Sequence, residues 1–222
     1  MKIAVLSDIH GNYAALKRCV DNALSKGVGT FFFLGDYVGE LAYPQRTMKL
    51  LYSLAHAYDC TFIRGNKENY WLNYRAGGSG EWRDGDSTTG SMLYTYSRLR
   101  DDDLAFFESL KIKETVSVDD LSEVLLCHGS PDKVNEKMLP DDERTFEIMD
   151  SAGVPLLLFG HTHIQGIIEH NGKRALNPGS VGVPLYSGGK TQFLILDGSK
   201  HGWSYEFVSL EYDIEKVICD LL

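Results

Sequence analysis

Short, unbroken apolar runs punctuate the first third of the chain. Lys2–Ser7 carries Ile3-Ala4-Val5-Leu6, Thr30–Leu34 carries three consecutive phenylalanines, and Cys60–Ile63 closes the series. Runs this short, without polar alternation, read as strands buried on both faces. Between them the period changes. Leu16, Val20, Ala23 and Leu24 fall on one face of a helix over Tyr13–Lys26, stopped by Gly27 and Gly29. A second helix spans Pro44–Ala57, with proline in its first turn. Strand–helix–strand–helix–strand at this spacing implies parallel pairing with right-handed crossovers.

The middle of the chain reads differently. Glycines interrupt a polar stretch from Tyr74 to Gly90, which predicts a loop, followed by helices over about Ser87–Arg100 and Asp101–Leu110. The later half is richer in strands. Thr115–Val118 and Glu123–Cys127 are expected to pair across Asp119-Asp120. A helix is expected over Pro140–Ala152 and a strand over Pro155–Phe159. Ile164–His170 and Lys173–Leu176 flank the hairpin signal Asn171-Gly172. Gln192–Leu196 and Trp203–Leu210 flank a turn placed at Asp197-Gly198, and Asp213–Leu222 forms a closing helix. With no internal repeat and no linker-like break, one domain over residues 1–222 is expected, with room for a loop and helix insertion at about 71–100.

Composition narrows the picture. Apolar residues make up 43% and charged residues 24%, which excludes disordered and fibrous classes. Lys+Arg total 22 against 31 Asp+Glu, a net charge of −9. Such a surface disfavours DNA, RNA and anionic membranes but tolerates a small phosphorylated substrate wherever metal ions supply local positive charge. The apolar run at the N-terminus is too short for a signal peptide, and no stretch approaches the ~18 residues of a membrane span, so the cytoplasm is the expected compartment. Cys19, Cys60, Cys127 and Cys219 form no C-x-x-C pair and sit in apolar stretches, as reduced core thiols do.

The candidate chemistry lies in five segments, each just after an expected strand: Asp8-Ile9-His10-Gly11-Asn12, Gly35-Asp36, Gly65-Asn66-Lys67-Glu68, His128-Gly129 and Gly160-His161-Thr162-His163. Four of the seven histidines fall in them; His56, His170 and His201 do not. Any one segment alone is ordinary. Asp-x-His often decorates a surface, Gly-Asp is often only a turn, and His161 and His163 alternate, so one can face a core and the other water. Five in order after strands are not ordinary, because ligands collect at the carboxyl ends of strands in α/β sheets.

In this arrangement the chain resembles the calcineurin-like metallophosphoesterases. Asp-x-His, Gly-Asp, Gly-Asn, His and Gly-His-x-His match in order over residues 8 to 163. Asn177-Pro178-Gly179-Ser180-Val181-Gly182 is similar to the small bacterial and archaeal members, which include phosphodiesterases and diadenosine-tetraphosphatase-like enzymes. The resemblance implies an α/β fold, a four-layer α/β/β/α sandwich of two mixed sheets. It implies two divalent or trivalent transition-metal ions: one on Asp8, His10 and His163, the other on Asn66, His128 and His161, with Asp36 bridging. A metal-bridging hydroxide would then attack phosphorus in a monoester, diester or nucleotide phosphoanhydride. Mixed imidazole and oxygen donors suit Mn foremost, and also Fe, Zn, Ni or Co.

Further residues are candidates for supporting roles. Asp36, Asn66, Lys67 and Arg64 form the expected catalytic set, and Asn12, Arg64 and Lys67 the expected substrate contacts. Asn12 begins the first helix, where it contacts phosphate or caps the helix. Arg64 reaches a phosphoryl oxygen or forms a structural ion pair. Lys67 stands where the family usually has a histidine that protonates the leaving group. A lysine is a poor proton donor near neutrality, but as a fixed charge it stabilises a departing oxyanion, unless it points to solvent or pairs with Glu68. Trp71, Tyr74, Arg75, Trp82 and Arg83 form either a nucleotide-stacking lid or core packing with solvated arginines. The expected partner is a small phosphorylated molecule such as a nucleotide, not a nucleic acid or a membrane, and a homodimer is expected through exposed strand edges. The rival reading is a non-catalytic metal-binding or protein-interaction module on the same fold.

Overall fold

The computed structural model describes residues 1–78, 82–83, 85–86, 89–118 and 121–221. The first sheet contains β1 (Lys2–Leu6), β2 (Thr30–Phe33), β3 (Asp59–Phe62), β9 (Thr191–Ser199) and β10 (Gly202–Leu210) in the order β10-β9-β1-β2-β3. β1, β2 and β3 run parallel; β9 and β10 add antiparallel at one edge. The second sheet contains β4 (Lys113–Val116), β5 (Val124–Cys127), β6 (Leu156–Leu158), β7 (Gly166–His170) and β8 (Lys173–Asn177) in the order β4-β5-β6-β8-β7. Its three central strands are parallel and its two edges antiparallel.

The unbroken apolar runs are explained by two buried faces per strand. Ile3, Val5, Phe32, Leu34, Leu194 and Leu196 of the first sheet meet Val124, Leu126, Leu156, Leu158 and Leu176 of the second in one shared layer. The alternate residues point outward. Ala4, Leu6, Phe31, Phe33, Phe193 and Ile195 pack under α1 (Tyr13–Ser25) and α2 (Pro44–Ala57). Leu125, Cys127, Leu157, Phe159 and Ala175 pack under α6 (Glu143–Ser151). Helices thus cover both outer faces, giving the four-layer α/β/β/α sandwich.

Several elements differ from the expectation. A helix, α3 (Asn66–Arg75), follows β3 directly. Its sequence lacks an apolar stripe because Trp71 is its one buried large apolar side chain, and its start is fixed by Glu68 Oε2 accepting from the Gly65 N–H at 2.8 Å. α4 is confined to Gly90–Tyr96, with residues 87 and 88 outside the described residues; α5 spans Asp101–Ser109. β4 and β5 pair as expected, but Asp119-Asp120 also lies outside the described residues. Asp197-Gly198 is not a turn. Both residues stay in β9, opposite Ser204 and Trp203, and the chain reverses at Lys200-His201. Glycine is needed at 198 for packing, since a Cβ there would meet Leu121 at 2.4 Å and the Trp203 ring at 2.9 Å.

Trp82 stacks on Tyr74 (4.2 Å between centroids, 3° between planes) and meets the buried Trp71 edge-on at 5.5 Å, so these aromatics pack against one another. Cys219, on α7 (Ile214–Leu221), is exposed, unlike the core thiols Cys19 and Cys127. Among the described residues no helix is long and apolar enough to cross a membrane.

Candidate metal centre

β1, β2 and β3 end side by side, and the second sheet brings the ends of β5 and β6 to the same place. Asp8, Asp36, Asn66, His128 and His161 lie within four residues beyond the ends of these strands. To turn their side chains inward, five residues adopt left-handed backbone: Asp8 (φ 55°), His10 (51°), Asp36 (55°), His161 (65°) and His163 (58°). Each costs about 1–2 kcal/mol relative to the ordinary helical region. Interlocking main-chain bonds hold them there. Asp8 N–H donates to Gly35 O (3.1 Å) and His10 N–H to Asp36 O (2.9 Å). The Asn177–Gly182 segment closes the loop from the other side, with Ser180 Oγ and Gly182 N–H both donating to Asp8 O, at 2.8 and 2.9 Å. Gly65 and Gly160 permit this closeness, since a Cβ would lie 2.3 Å from Asp36 Oδ1 at one and 2.0 Å from Ser7 Oγ at the other.

Two groups of donors result: Asp8, His10 and His163, and Asp8, Asp36 and His128. Within each, the candidate ligand atoms lie within 4.8 Å of one another. Asp36 faces both ways, with Oδ2 3.7 Å from His10 Nε2 and Oδ1 3.5 Å from His128 Nε2. Asn66 joins the second group, while His161 packs its ring 5.2 Å from that of His128.

Proton bookkeeping shows that this cluster suits cations. His128 Nδ1 lies 2.7 Å from Leu34 O and His163 Nδ1 2.8 Å from Val183 O. A carbonyl only accepts, so each Nδ1 carries a proton, and each Nε2 presents a lone pair once its own proton is lost to a cation. His10 Nδ1 lies 2.8 Å from Glu40 Oε2, a charge contact rather than a well-aligned hydrogen bond, and the carboxylate charge favours a proton on that nitrogen. Lone pairs then face one another: His10 Nε2 and His163 Nε2 are 3.2 Å apart, and His128 Nε2 is 3.1 Å from Asn66 Oδ1. Asp8 Oδ1, fully buried, adds a third acceptor 3.2 Å from His163 Nε2 without a hydrogen bond of good geometry. Converging acceptors at such distances fit transition-metal ions.

The same crowding shifts the titrations. Burial opposes ionisation of Asp8, but His128, His163 and His10 hold it well below the usual carboxylate range. Burial lowers His128 and His163, yet the facing carboxylates push both above the ordinary imidazole value. Burial and His128 push His161 down. Behind the centre, burial and the Asp36 charge raise Glu68 to about 7. Its oxygens accept the N–H groups of Asp36 (2.9 Å), Tyr37 (2.9 Å) and Gly65 (2.8 Å), tying β2's loop to α3.

Residues 1–201 match the family model of the calcineurin-like phosphoesterase superfamily domain. The chain belongs to that superfamily. An uncharacterized protein of Methanocaldococcus jannaschii is 30% identical over 96% of this chain and 89% of its own length. Among solved structures, a hypothetical protein of Pyrococcus horikoshii OT3 matches with a TM-score of 0.82 at 22% identity, over 98% of this chain and 91% of that one. A metallophosphoesterase from Sphaerobacter thermophilus matches with a TM-score of 0.76 at 22% identity, over all of this chain and 92% of the other.

Within this calcineurin-like phosphoesterase, the candidate substrate contacts are placed unevenly. Asn12 is buried and its amide is committed to the protein. Oδ1 caps α1 by accepting from Ala15 N–H, and Nδ2 donates to Gly182 O and Tyr212 Oη. Arg64 donates through Nη2 to the Glu108 carbonyl. Lys67 lies at the centre's edge, but its partner is Glu40 rather than Glu68, and its Nζ sits 5.5 Å from the Tyr70 ring centroid. Sequence reasoning missed Glu40, the second acid in the loop after β2, and missed the clamp made by Ser180. Only the spacing of Glu40 from Asp36 hints at it.

Proposed function

We propose that the protein hydrolyses phosphate esters at two transition-metal ions held by Asp8, His10, Asp36, Asn66, His128, His161 and His163, with phosphodiesters or nucleotide phosphoanhydrides as the favoured class. The observation that carries this reading is the set of imidazole, amide and carboxylate groups facing one another at 3.1–3.2 Å. When bound, such ions supply Lewis acidity and activated water. Asp36 orients the centre by offering one oxygen to each donor group, and Asn66 offers a neutral oxygen that adds no charge. Lys67 stands at the rim as a positive charge toward a departing oxyanion, a task suited to aryl and anhydride leaving groups that need little protonation. The committed bonds of Asn12 make it a helix cap in this reading. Arg64 contributes to substrate binding only by leaving Glu108.

The test is hydrolysis of bis(p-nitrophenyl) phosphate by chelator-stripped protein, before and after adding Mn²⁺. Turnover that appears with the metal supports the reading. Two bound ions without turnover of this diester, of p-nitrophenyl phosphate or of a dinucleoside polyphosphate would favour the non-catalytic module. Lys67→His then tests leaving-group preference: an unchanged ratio of alkyl to aryl phosphate turnover would remove Lys67 from that role.

A further inference from the structure

The histidines of the centre are not all supported alike. His128 and His163 lean through Nδ1 on main-chain carbonyls, Leu34 O and Val183 O. His10 leans on a side chain, with Glu40 Oε2 2.8 Å from its Nδ1. Glu40's other oxygen pairs with Lys67 Nζ, and the Lys67 backbone N–H donates to Asp36 Oδ1 at 2.8 Å. Asp36 Oδ2 in turn lies 3.7 Å from His10 Nε2. The contacts close a ring: His10, Glu40, Lys67, Asp36 and back to His10. Gly39 makes room for it, because a Cβ there would lie 2.5 Å from His10 Nδ1.

We propose that Glu40 is a positioning residue for His10, and that Lys67 acts first as the anchor of Glu40. The inference rests on the metal-centre reading given above. A carboxylate beside Nδ1 favours the tautomer that leaves Nε2 free and orients the ring as a ligand. Glu40 is half-exposed, its side chain 42% accessible, whereas His10's is 4% accessible. Without Lys67, Glu40 would be free to swing into solvent. The ammonium holds it over the buried ring, so the residue in the family's proton-donor position sets the strength of one metal subsite.

The experiment is a Co²⁺ titration of chelator-stripped protein, followed by calorimetry and by cobalt d–d absorption, for wild type, His10→Ala, Glu40→Ala, Glu40→Gln and Lys67→Met. His10→Ala identifies the subsite in question. Glu40→Ala is expected to weaken that subsite by about 10- to 100-fold, to shift its absorption band, and to leave the other within about twofold. Glu40→Gln, which keeps an acceptor for Nδ1–H, should retain more affinity than Glu40→Ala, and Lys67→Met should lose less than either alanine variant. Equal losses at both subsites, or none, would overturn the proposal while leaving the metal centre intact. Wild-type protein that binds no cobalt would overturn the metal-centre reading and this proposal together. Should Glu40→Ala fail to fold, Glu40→Gln against Lys67→Met carries the same comparison.

Discussion

The centre has two unlike sides. On one, His128 is fully buried and fixed by a strand-end carbonyl, with Glu68 tying the Asp36 loop to α3 behind it. On the other, His10 and His163 face each other near the rim, where His163 is partly exposed and His10 depends on the Glu40–Lys67 pair. The inner side is built from backbone and belongs to the sandwich. The outer side is mixed: His163 leans on the Val183 carbonyl, and His10 on a side chain that can be exchanged without disturbing a strand. The fold therefore sets where the donors converge, while the rim sets how firmly the outer ones are held.

The largest expected effect comes from the residue the sides share. Asp36→Asn should lower Mn²⁺-dependent diester turnover by about 10³-fold, roughly 4 kcal/mol in the barrier, with an unchanged circular dichroism spectrum. Retention of more than a tenth of the activity would show that the two sides work without a common carboxylate. Next, saturating metal should raise the melting temperature. At a free concentration a hundredfold above Kd the gain is about 2.7 kcal/mol, or ~5–10 °C for a domain of this size, and a chelator should reverse it.

Metal-free variants then separate the sides. His128→Ala strands Leu34 O and Asn66 in the interior and should cost about 2 kcal/mol, a fall of ~4–8 °C in melting temperature. His163→Ala, at the rim, should cost under about 1 kcal/mol in the stripped protein yet abolish one metal. Equal losses of stability would erase the distinction. The smallest effect concerns thiols. Burial pushes Cys19 and Cys127 up to about 12, and burial with the Asp59 charge does the same to Cys60, whereas Cys219 is exposed. Native protein at pH 8 should thus react rapidly with one equivalent of a disulfide reagent, and Cys219→Ser should remove that reaction.

The sequence made the inner side legible and the outer side only partly so. Continuous apolar runs such as Phe31–Leu34 announce strands with two buried faces, and a polar residue just past each run announces what collects at their ends. Glu40 carries no such mark, because its role depends on a loop path that brings it over His10. Ser180 was readable as part of the Asn177–Gly182 segment, but not as the clamp on Asp8, since a contact to a carbonyl imposes no pattern. α3 was hidden because a helix that buries little besides Trp71 and Glu68 has no stripe. The turn at Lys200-His201 was missed because Gly198 serves side-chain packing rather than chain reversal.

The five left-handed residues around the centre have a consequence for how such a protein changes under selection. Glycine tolerates that backbone region freely, so at Asp8, His10, Asp36, His161 and His163 it would release conformational strain while deleting a donor. A library screened only for heat resistance in the presence of a chelator should accumulate glycines at these positions, and one screened for turnover should never hold them. Where the two screens part company would mark the centre's outline without any structure in hand.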